Sequence, residues 1–229
     1  MNKIKFVSSL PGLTQVDKLK PQPIKNFIPK WFKNTPAFDM KNDLLGGSIT
    51  VKRCPSFVDI FNEGYVIPAP CDIYLSVADD GNWTWRVSNK EILIETHPDF
   101  QYLKHRKTDT KQVFKLVNPY YIITPKGYSI RQIPMMWFDG YDYKGWYVPY
   151  GVIRTDQWHE INQQIFFTSD KNEVLIKAGE PLNVVLPYKR EKWKSEIVEP
   201  NKKDLQIIRK KRLNIISSFK GGYMKHTEY

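Results

Sequence analysis

In residues 72–77, which read DIYLSV, every second side chain is apolar. Ile73, Leu75 and Val77 would share one face of a β-strand, because successive side chains of a strand point to opposite faces. The same alternation recurs in residues 83–87, 91–96, 112–117 and 160–168. It predicts a chain built mainly of short strands.

Residues typical of turns lie between these stretches, as in Asp79-Asp80-Gly81-Asn82 and Pro125-Lys126-Gly127. No helical pattern separates the strands, which argues against a parallel α/β sheet. We therefore expect an all-β core domain at residues 48–188, folded as an antiparallel sandwich of the jelly-roll type or as a β-clip-like barrel.

The first 47 residues are predicted to form an extended, proline-rich arm. Five prolines fall within 26 positions, and each fixes its own backbone angle and removes a hydrogen-bond donor: Pro11, Pro21, Pro23, Pro29 and Pro36. The apolar anchors of the arm are Phe27, Ile28, Trp31 and Phe32. They would pack either against the chain's own core or against another subunit.

Residues 189–229 form a basic tail with the one helical pattern of the chain. Asn201 can cap a helix, Leu205, Ile208, Ile215 and Phe219 recur at helical spacing, and Gly221-Gly222 would end it. The tail has 12 Lys and Arg against 5 Asp and Glu, and so carries +7 of the formal net charge of +11.

This charge makes the tail a candidate polyanion-binding segment. The residues concerned are Lys202, Lys203, Arg209, Lys210, Lys211 and Arg212. Such a segment could bind nucleic acid through counterion release, although a solvated basic helix explains the same residues.

The composition and the motifs that the sequence lacks limit which classes of function we expect. The chain has 229 residues, of which 41% are hydrophobic and 26% charged, as in ordinary folded proteins. It contains no apolar run of membrane-spanning length, no secretory signal and no glycine-rich phosphate loop, so we expect a cytoplasmic or virion-associated protein with no membrane partner and no cofactor. Cys54 and Cys71 are expected to be reduced.

Three stretches carry a family resemblance: Ile28-Pro29-Lys30-Trp31-Phe32, then 50–55 with 64–68, and above all 151–158 with Lys177-Ala178-Gly179-Glu180-Pro181-Leu182. Together they resemble an uncharacterised family of phage and bacterial all-β proteins over residues 28 to 190. The resemblance implies a phage-type source and supplies no catalytic residues.

The order of four further stretches, 125–128, 151–156, 161–167 and 176–180, resembles that in the trimeric dUTPases, which have a β-clip barrel and hydrolyse a nucleoside triphosphate with magnesium. In that family a carboxylate activates water at the position that Arg154 occupies here, and Asp156 matches an acidic structural position. Arg154 cannot act as a base, and the family's arginine-serine-glycine phosphate loop has no counterpart. The resemblance therefore implies a shared topology without the dUTPase chemistry.

The strongest candidate for a metal site is His97-Pro98-Asp99 with His159. Residues at i and i+2 of a strand point the same way, so the three side chains could form a facial triad with open coordination positions. The arrangement resembles the iron and 2-oxoglutarate oxygenases, with Lys171 as the basic residue. Surface positions for His97 and Asp99, beside a turn, explain the same residues.

Carboxylates beside aromatic rings are typical of carbohydrate sites, and Asp139, Asp142 and Asp156 flank an aromatic-rich stretch. Turn-forming aspartates in an exposed loop explain these residues more simply.

The density of aromatic residues between 137 and 150 indicates surface contacts, because exposed rings bury large areas at interfaces. The candidate interface residues are Trp31, Phe32, Trp137, Tyr141, Tyr143, Trp146, Tyr147 and Arg154. Packing over one end of the core is the alternative. The leading hypothesis is a non-enzymatic phage-type protein that acts through protein contacts, either by homo-oligomeric self-assembly or by attachment to a larger particle.

Overall fold

The computed structural model describes residues 2–39, 48–102, 109–139 and 144–217. By their internal contacts these residues fall into two units. Residues 1–33 and 61–190 form the larger unit, and residues 34–60 and 191–229 form the smaller one.

Strands make up most of the regular structure. In chain order the strands of the described residues are β1 (Lys5–Ser8), β2 (Gln22–Pro23), β3 (Phe38–Asp39), β4 (Ser48–Ile49), β5 (Tyr65–Pro68), β6 (Ile73–Val77), β7 (Trp83–Val87), β8 (Leu93–Thr96), β9 (Gln112–Ile123), β10 (Tyr128–Pro134), β11 (Trp146–Tyr147), β12 (Gly151–Ile153), β13 (Glu160–Phe167), β14 (Glu173–Ile176) and β15 (Pro181–Lys189). The α-helices are α1 (Lys30–Asn34), α2 (Pro55–Ile60) and α3 (Lys202–Ser217), and the other helical segments are short 3-10 turns.

The larger unit contains three antiparallel sheets. The first has the order β1-β9-β13-β11, with β8 also paired to β9, and the second has the order β12-β10-β15-β5-β2. The third has the order β14-β6-β7. The predicted antiparallel all-β fold is confirmed, and because the sheets do not close on themselves within the described residues, the sandwich is the better of the two predicted architectures.

The core lies between these sheets. Ile73, Leu75 and Val77 of β6 are buried, as the alternation predicts, and pack with Phe114 and Ile165 of the first sheet. A second cluster joins the first sheet to the second. Complete burial of each such side chain stabilises the fold by about 1.5 to 3 kcal/mol.

A chain of buried amides crosses from the first sheet to the second. The Nδ2 atom of Asn118 donates to Oε1 of Gln163 at 2.8 Å, and Nε2 of Gln163 donates to Oδ1 of Asn183 at 3.4 Å. The Nδ2 atom of Asn183 in turn donates to Oε1 of Gln132 at 2.9 Å. All four residues are buried, so these mutual hydrogen bonds compensate the cost of removing their amides from water.

The proline-rich arm packs on the chain's own core as far as Lys33. β1 pairs with the C-terminal half of β9, and the Phe6 ring meets the Tyr65 ring edge-on at 5.2 Å. Leu13 and Ile24 are buried. Of the two interpretations of the arm, these contacts correspond to packing within one chain.

In the smaller unit, β3 pairs with β4, and the Arg53 guanidinium lies over the Phe38 ring at 4.9 Å. α3 begins where the sequence predicts, because Oδ1 of Asn201 accepts a hydrogen bond from the backbone amide of Asp204 at 2.8 Å. Gly221-Gly222 lies outside the described residues. None of the described helices has the length and apolar character needed to span a membrane.

Candidate functional site

The outward face of β13 carries a row of polar side chains. Ile161 and Gln163 point into the core and are buried, so Glu160, Asn162 and Gln164 point to the opposite face of the first sheet. Glu160 is exposed, and the other two are half-buried. Hydrogen-bonding groups therefore line one continuous strip of this face.

Two adjoining cavities lie along this strip, with volumes of about 230 and 100 Å³. Glu160 and Asn162 line both of them. We name the two cavities together the outer groove. The larger cavity is also lined by residues 148–153, Gln132, Trp158 and Gln164, and the smaller one by residues 91–93 and 117–119.

Two aromatic side chains line the larger cavity of the outer groove. Tyr150 and Trp158 are each 59% exposed. Rings that are mostly accessible at a cavity wall are available to pack against a bound molecule, since Tyr and Trp offer a large apolar surface with a polar tip. The larger cavity thus combines stacking surfaces with amide and carboxylate groups.

A strand irregularity lies at the centre of the outer groove. Glu160 pairs with Tyr121, but Asn162 pairs with Val117, so three residues of β9 lie opposite one residue of β13. The Oδ1 atom of Asn162 is buried there and has no hydrogen-bond partner among the described residues. Such an acceptor costs about 1 to 3 kcal/mol, and bulges of this kind are common beside functional sites.

The charge of the outer groove differs from that of the whole chain. The described residues that line it include two carboxylates, Glu160 and Glu91, and neither Lys nor Arg. The chain as a whole carries a formal net charge of +11. The outer groove therefore disfavours anionic ligands that the rest of the surface attracts.

An ionic lock joins the turn after β12 to the end of β15. The Arg190 guanidinium donates to both carboxylate oxygens of Asp156, at 2.8 and 2.5 Å, and the backbone amide of Gly127 donates to the same carboxylate at 2.8 Å. The Asp156 side chain is only 3% exposed. Its hydrogen bonds to Arg190, together with that from Gly127, hold the pKa of Asp156 well below its ordinary range, so this carboxylate is structural.

Asp156→Asn is expected to lower the melting temperature at pH 7 by several degrees. Because the pKa of Asp156 is lower in the folded than in the unfolded chain, its contribution is complete above the ordinary value of 3.8 and is lost as the pH falls below it. Melting temperatures of wild type and variant, measured from pH 7 to pH 2.5, should differ less as the pH falls below 3.8, and part of the difference should remain at pH 2.5 because the pKa of Asp156 in the folded chain lies well below its ordinary value. Asp17→Asn serves as control, since its pair with Lys20 is exposed and should contribute little. A difference that does not vary with pH would contradict the assignment.

The predicted metal triad is not formed. The His97 Nδ1 atom lies 2.6 Å from Oε1 of Gln101, and the His159 Nδ1 atom lies 2.9 Å from the carbonyl oxygen of Thr155. No three His, Cys, Asp or Glu side chains of the described residues are grouped so that they could hold a metal ion. His97, Asp99 and His159 therefore serve local hydrogen bonding and surface positions in this geometry.

Two of the candidate interface residues are core residues instead. Trp146 is 3% exposed, because β11 pairs with β13 and turns this side chain into the main core. Phe32 is buried against the Phe61 ring at 4.7 Å. Neither side chain can anchor a partner without leaving the core.

The other candidate interface residues have varied positions. The Nε1 atom of Trp31 donates to the carbonyl oxygen of Trp137 at 2.8 Å, and both side chains remain partly exposed. The Tyr147 ring packs against the core at 5.3 Å from the Phe166 ring, and Arg154 is exposed. Tyr141 and Tyr143 lie outside the described residues.

The acids considered for a carbohydrate site are not brought together either. One oxygen of Asp139 accepts a hydrogen bond from the backbone amide of Lys30 at 2.9 Å, and Asp156 is held by Arg190. Asp142 lies outside the described residues.

The C-terminal segment, residues 191–217, exposes both basic and apolar side chains. The six candidate polyanion-binding residues are all exposed: Lys202, Lys203, Arg209, Lys210, Lys211 and Arg212. In the extended part before α3, Trp193 is 88% and Ile197 is 100% exposed. Leu205, Ile208 and Leu213 are exposed along α3.

Sequence reasoning missed the residues of the outer groove. Glu160, Asn162 and Gln164 alternate with apolar residues, which identifies them as one face of a strand and nothing more. The sequence did contain one further indication of a site, the large aromatic residues Tyr150, just before β12, and Trp158, just before β13. Their convergence on one cavity depends on the pairing of β10 with β12 and of β9 with β13.

No family model and no curated protein matches this chain. Similar solved structures include two mutants of the dUTPase of Staphylococcus bacteriophage 80alpha, one of them with dUpNHpp. Each has 10% sequence identity, with TM-scores of 0.42 and 0.41, covering 88% of this chain and 99% and 91% of those chains. No residue role is transferred from these phage proteins.

Proposed function

We propose that this chain is a non-enzymatic, phage-type protein that acts through contacts with another protein, and that the C-terminal segment is its principal contact surface. The observation that supports the proposal is the almost complete exposure of Trp193 and Ile197. A tryptophan buries more area on binding than most side chains and is over-represented among residues that dominate binding energy.

α3 supports the same proposal. A helix of 16 residues is marginally stable without tertiary packing, and Leu205 and Ile208 lie on one face with no cover sufficient to bury them. A partner that covers this face would stabilise the helix as well as gain apolar contacts. The extended part of the segment, with Trp193 and Ile197, and α3 would then both contact the same partner.

The charge of the segment indicates the kind of partner. Residues 189–229 carry +7, and the remainder of the chain is also net positive. An acidic protein surface with an apolar centre complements this segment better than a second copy of the chain does. Attachment to a larger assembly is therefore favoured over self-association.

Nucleic acid is the second candidate partner, because the six basic residues of α3 are exposed. Phosphate contacts would use these charges, but they would leave Ile197 and the aliphatic face of α3 in water. Protein binding uses both sets of residues and is preferred for that reason.

Sedimentation of the full chain tests the proposal, both purified and in an extract of the cells that produce it. We expect the purified chain to sediment as free chains and the chain in the extract to move with a large assembly. The double variant Trp193→Ala, Ile197→Ala should shift to the slow fraction. Trp83→Ala, which removes a partly exposed tryptophan of β7, is the matched control and should stay in the fast fraction.

Two results would contradict the proposal. The wild-type chain could sediment as free chains in the extract as well, or the double variant could remain in the fast fraction. Treatment of the extract with nuclease distinguishes a protein partner from a nucleic-acid partner. Release of the chain by nuclease would replace the protein partner with nucleic acid.

A further inference from the structure

We propose that the outer groove binds a neutral saccharide, with a sugar ring packed against Trp158, beside Tyr150, and its hydroxyl groups bonded to the polar row of β13. The proposal is independent of the C-terminal segment. It is carried by three observations on the described residues: exposed rings at a cavity wall, a buried acceptor with no partner among them, and a lining in which they supply carboxylates but no basic side chain.

The hydrogen-bonding groups of the outer groove suit hydroxyl groups. Oε1 of Gln132 already accepts from Asn183, and Oε1 of Gln164 accepts from the hydroxyl of Tyr102 at 2.8 Å. The amide nitrogens of Gln132 and Gln164 are therefore the groups that can donate into the groove. A sugar hydroxyl both donates and accepts, so it matches such a mixed lining.

Two acceptors complement these donors. The buried Oδ1 atom of Asn162 needs a donor, and the Glu160 carboxylate accepts only. Vicinal hydroxyl groups could bond to both residues, which line both cavities, once the Asn162 amide has turned its buried oxygen toward the groove. A bound sugar would thus satisfy the one polar atom of this strip that the fold leaves without a partner among the described residues.

Charge excludes the main competing ligands. A phosphate or other anion would meet Glu160 and Glu91, and no Lys or Arg among the described lining residues compensates them. A simple cation would use the carboxylates and rings but would leave the amide donors of Gln132 and Gln164 facing a like charge. A neutral ligand with many hydroxyl groups uses all of these groups.

The outer groove is held rigid from behind. Gln132 is the last member of the buried amide chain that begins at Asn118, and it is only 7% exposed. Its side chain is therefore fixed before any ligand arrives. Groups that are fixed in advance lose less entropy on binding.

The test is a screen of the full chain against an array of neutral glycans, followed by titration calorimetry with the best binder and with maltotriose, cellotriose and chitotriose. We expect at least one saccharide to bind with a Kd of about 1 mM or below. Trp158→Ala should weaken that binding about tenfold or more. Phe100→Ala, an exposed aromatic residue outside the groove, should leave it unchanged.

Asn162→Leu separates a binding role from a structural one. Loss of a buried acceptor that has no partner in the described part of the chain should leave the melting temperature unchanged or raise it, whereas saccharide affinity should fall about tenfold. A purely structural residue would show the opposite: a lower melting temperature and the same affinity for folded protein.

Three outcomes would overturn the proposal. In the first, none of the arrayed glycans and none of the three trisaccharides binds. In the second, a saccharide binds wild type and Trp158→Ala with the same affinity. In the third outcome, a sulfated saccharide, used as a competing probe, binds in preference to every neutral saccharide.

Discussion

Gln163→Leu should lower the free energy of unfolding by about 2 to 6 kcal/mol, because two buried groups each lose a partner at a cost of about 1 to 3 kcal/mol. These groups are Nδ2 of Asn118 and Oδ1 of Asn183. Leucine has a volume close to that of glutamine, so no large cavity adds to the effect. Urea denaturation followed by circular dichroism measures it, with the slope checked for a change in the unfolded state.

Asn162→Leu is the matched control, since it makes the same kind of change at the preceding residue of the same strand. Asn162 points to the outer groove and its Oδ1 atom has no partner to lose among the described residues. We expect a change close to zero or a small gain in stability. If both variants lost the same free energy of unfolding, the loss in Gln163→Leu could not be attributed to the broken amide chain, and the prediction would be wrong.

The sequence predicts the strands well because their signal is local. Alternation in residues 72–77 predicts a strand with Ile73, Leu75 and Val77 inward, and β6 has this register with all three buried. The cap of α3 at Asn201 is equally local, since both of its partners lie within three residues. Features of this kind need no knowledge of the rest of the fold.

The amide chain could not be predicted from the sequence. In β13, Gln163 stands at an inward position between Ile161 and Ile165, where a polar residue contradicts the alternation. Its partners Asn118 and Asn183 are 45 and 20 positions away. Only the packing of two sheets brings these amides within hydrogen-bond distance.

Aromatic density gave no means of telling which rings are buried. Trp146 and Tyr150 lie four positions apart in the same aromatic-rich stretch. A two-residue strand, β11, turns Trp146 into the core, whereas Tyr150 precedes β12 and remains exposed at the outer groove. Strands of two residues are too short for a pattern, so their pairing decides which ring becomes accessible.

The bulge at the outer groove connects the fold to the proposed saccharide site. Regular pairing of β9 with β13 would let each residue of β13 oppose one residue of β9, but here the three residues 118–120 all lie opposite Ile161. Asn118 is one of these three residues and is the first member of the amide chain. Asn162 follows Ile161 in β13, and its Oδ1 atom is buried. One irregularity therefore supplies both the rigid support behind the groove and the acceptor within it.

Gly64→Ala should lower the free energy of unfolding by about 2 to 5 kcal/mol, from about 1 to 2 for the left-handed backbone and about 1 to 3 for steric overlap. Gly64 has φ +92, and a Cβ atom there would lie 2.7 Å from the carbonyl oxygen of Val185 and 3.1 Å from Cγ1 of Val184. Both contacts are on β15, which pairs with β5 through Val66, so relief of the overlap would strain this pairing.

Gly81→Ala isolates the backbone part of that cost. Gly81 has φ +84 and no atom within 4 Å of the position a Cβ would take, so only the strain of about 1 to 2 kcal/mol should appear. Urea denaturation of both variants gives the difference, which measures the overlap at Gly64 alone. Equal losses would mean that β15 moves aside at little cost, and the second sheet would then be less rigid at Asn183 than the support of the outer groove requires.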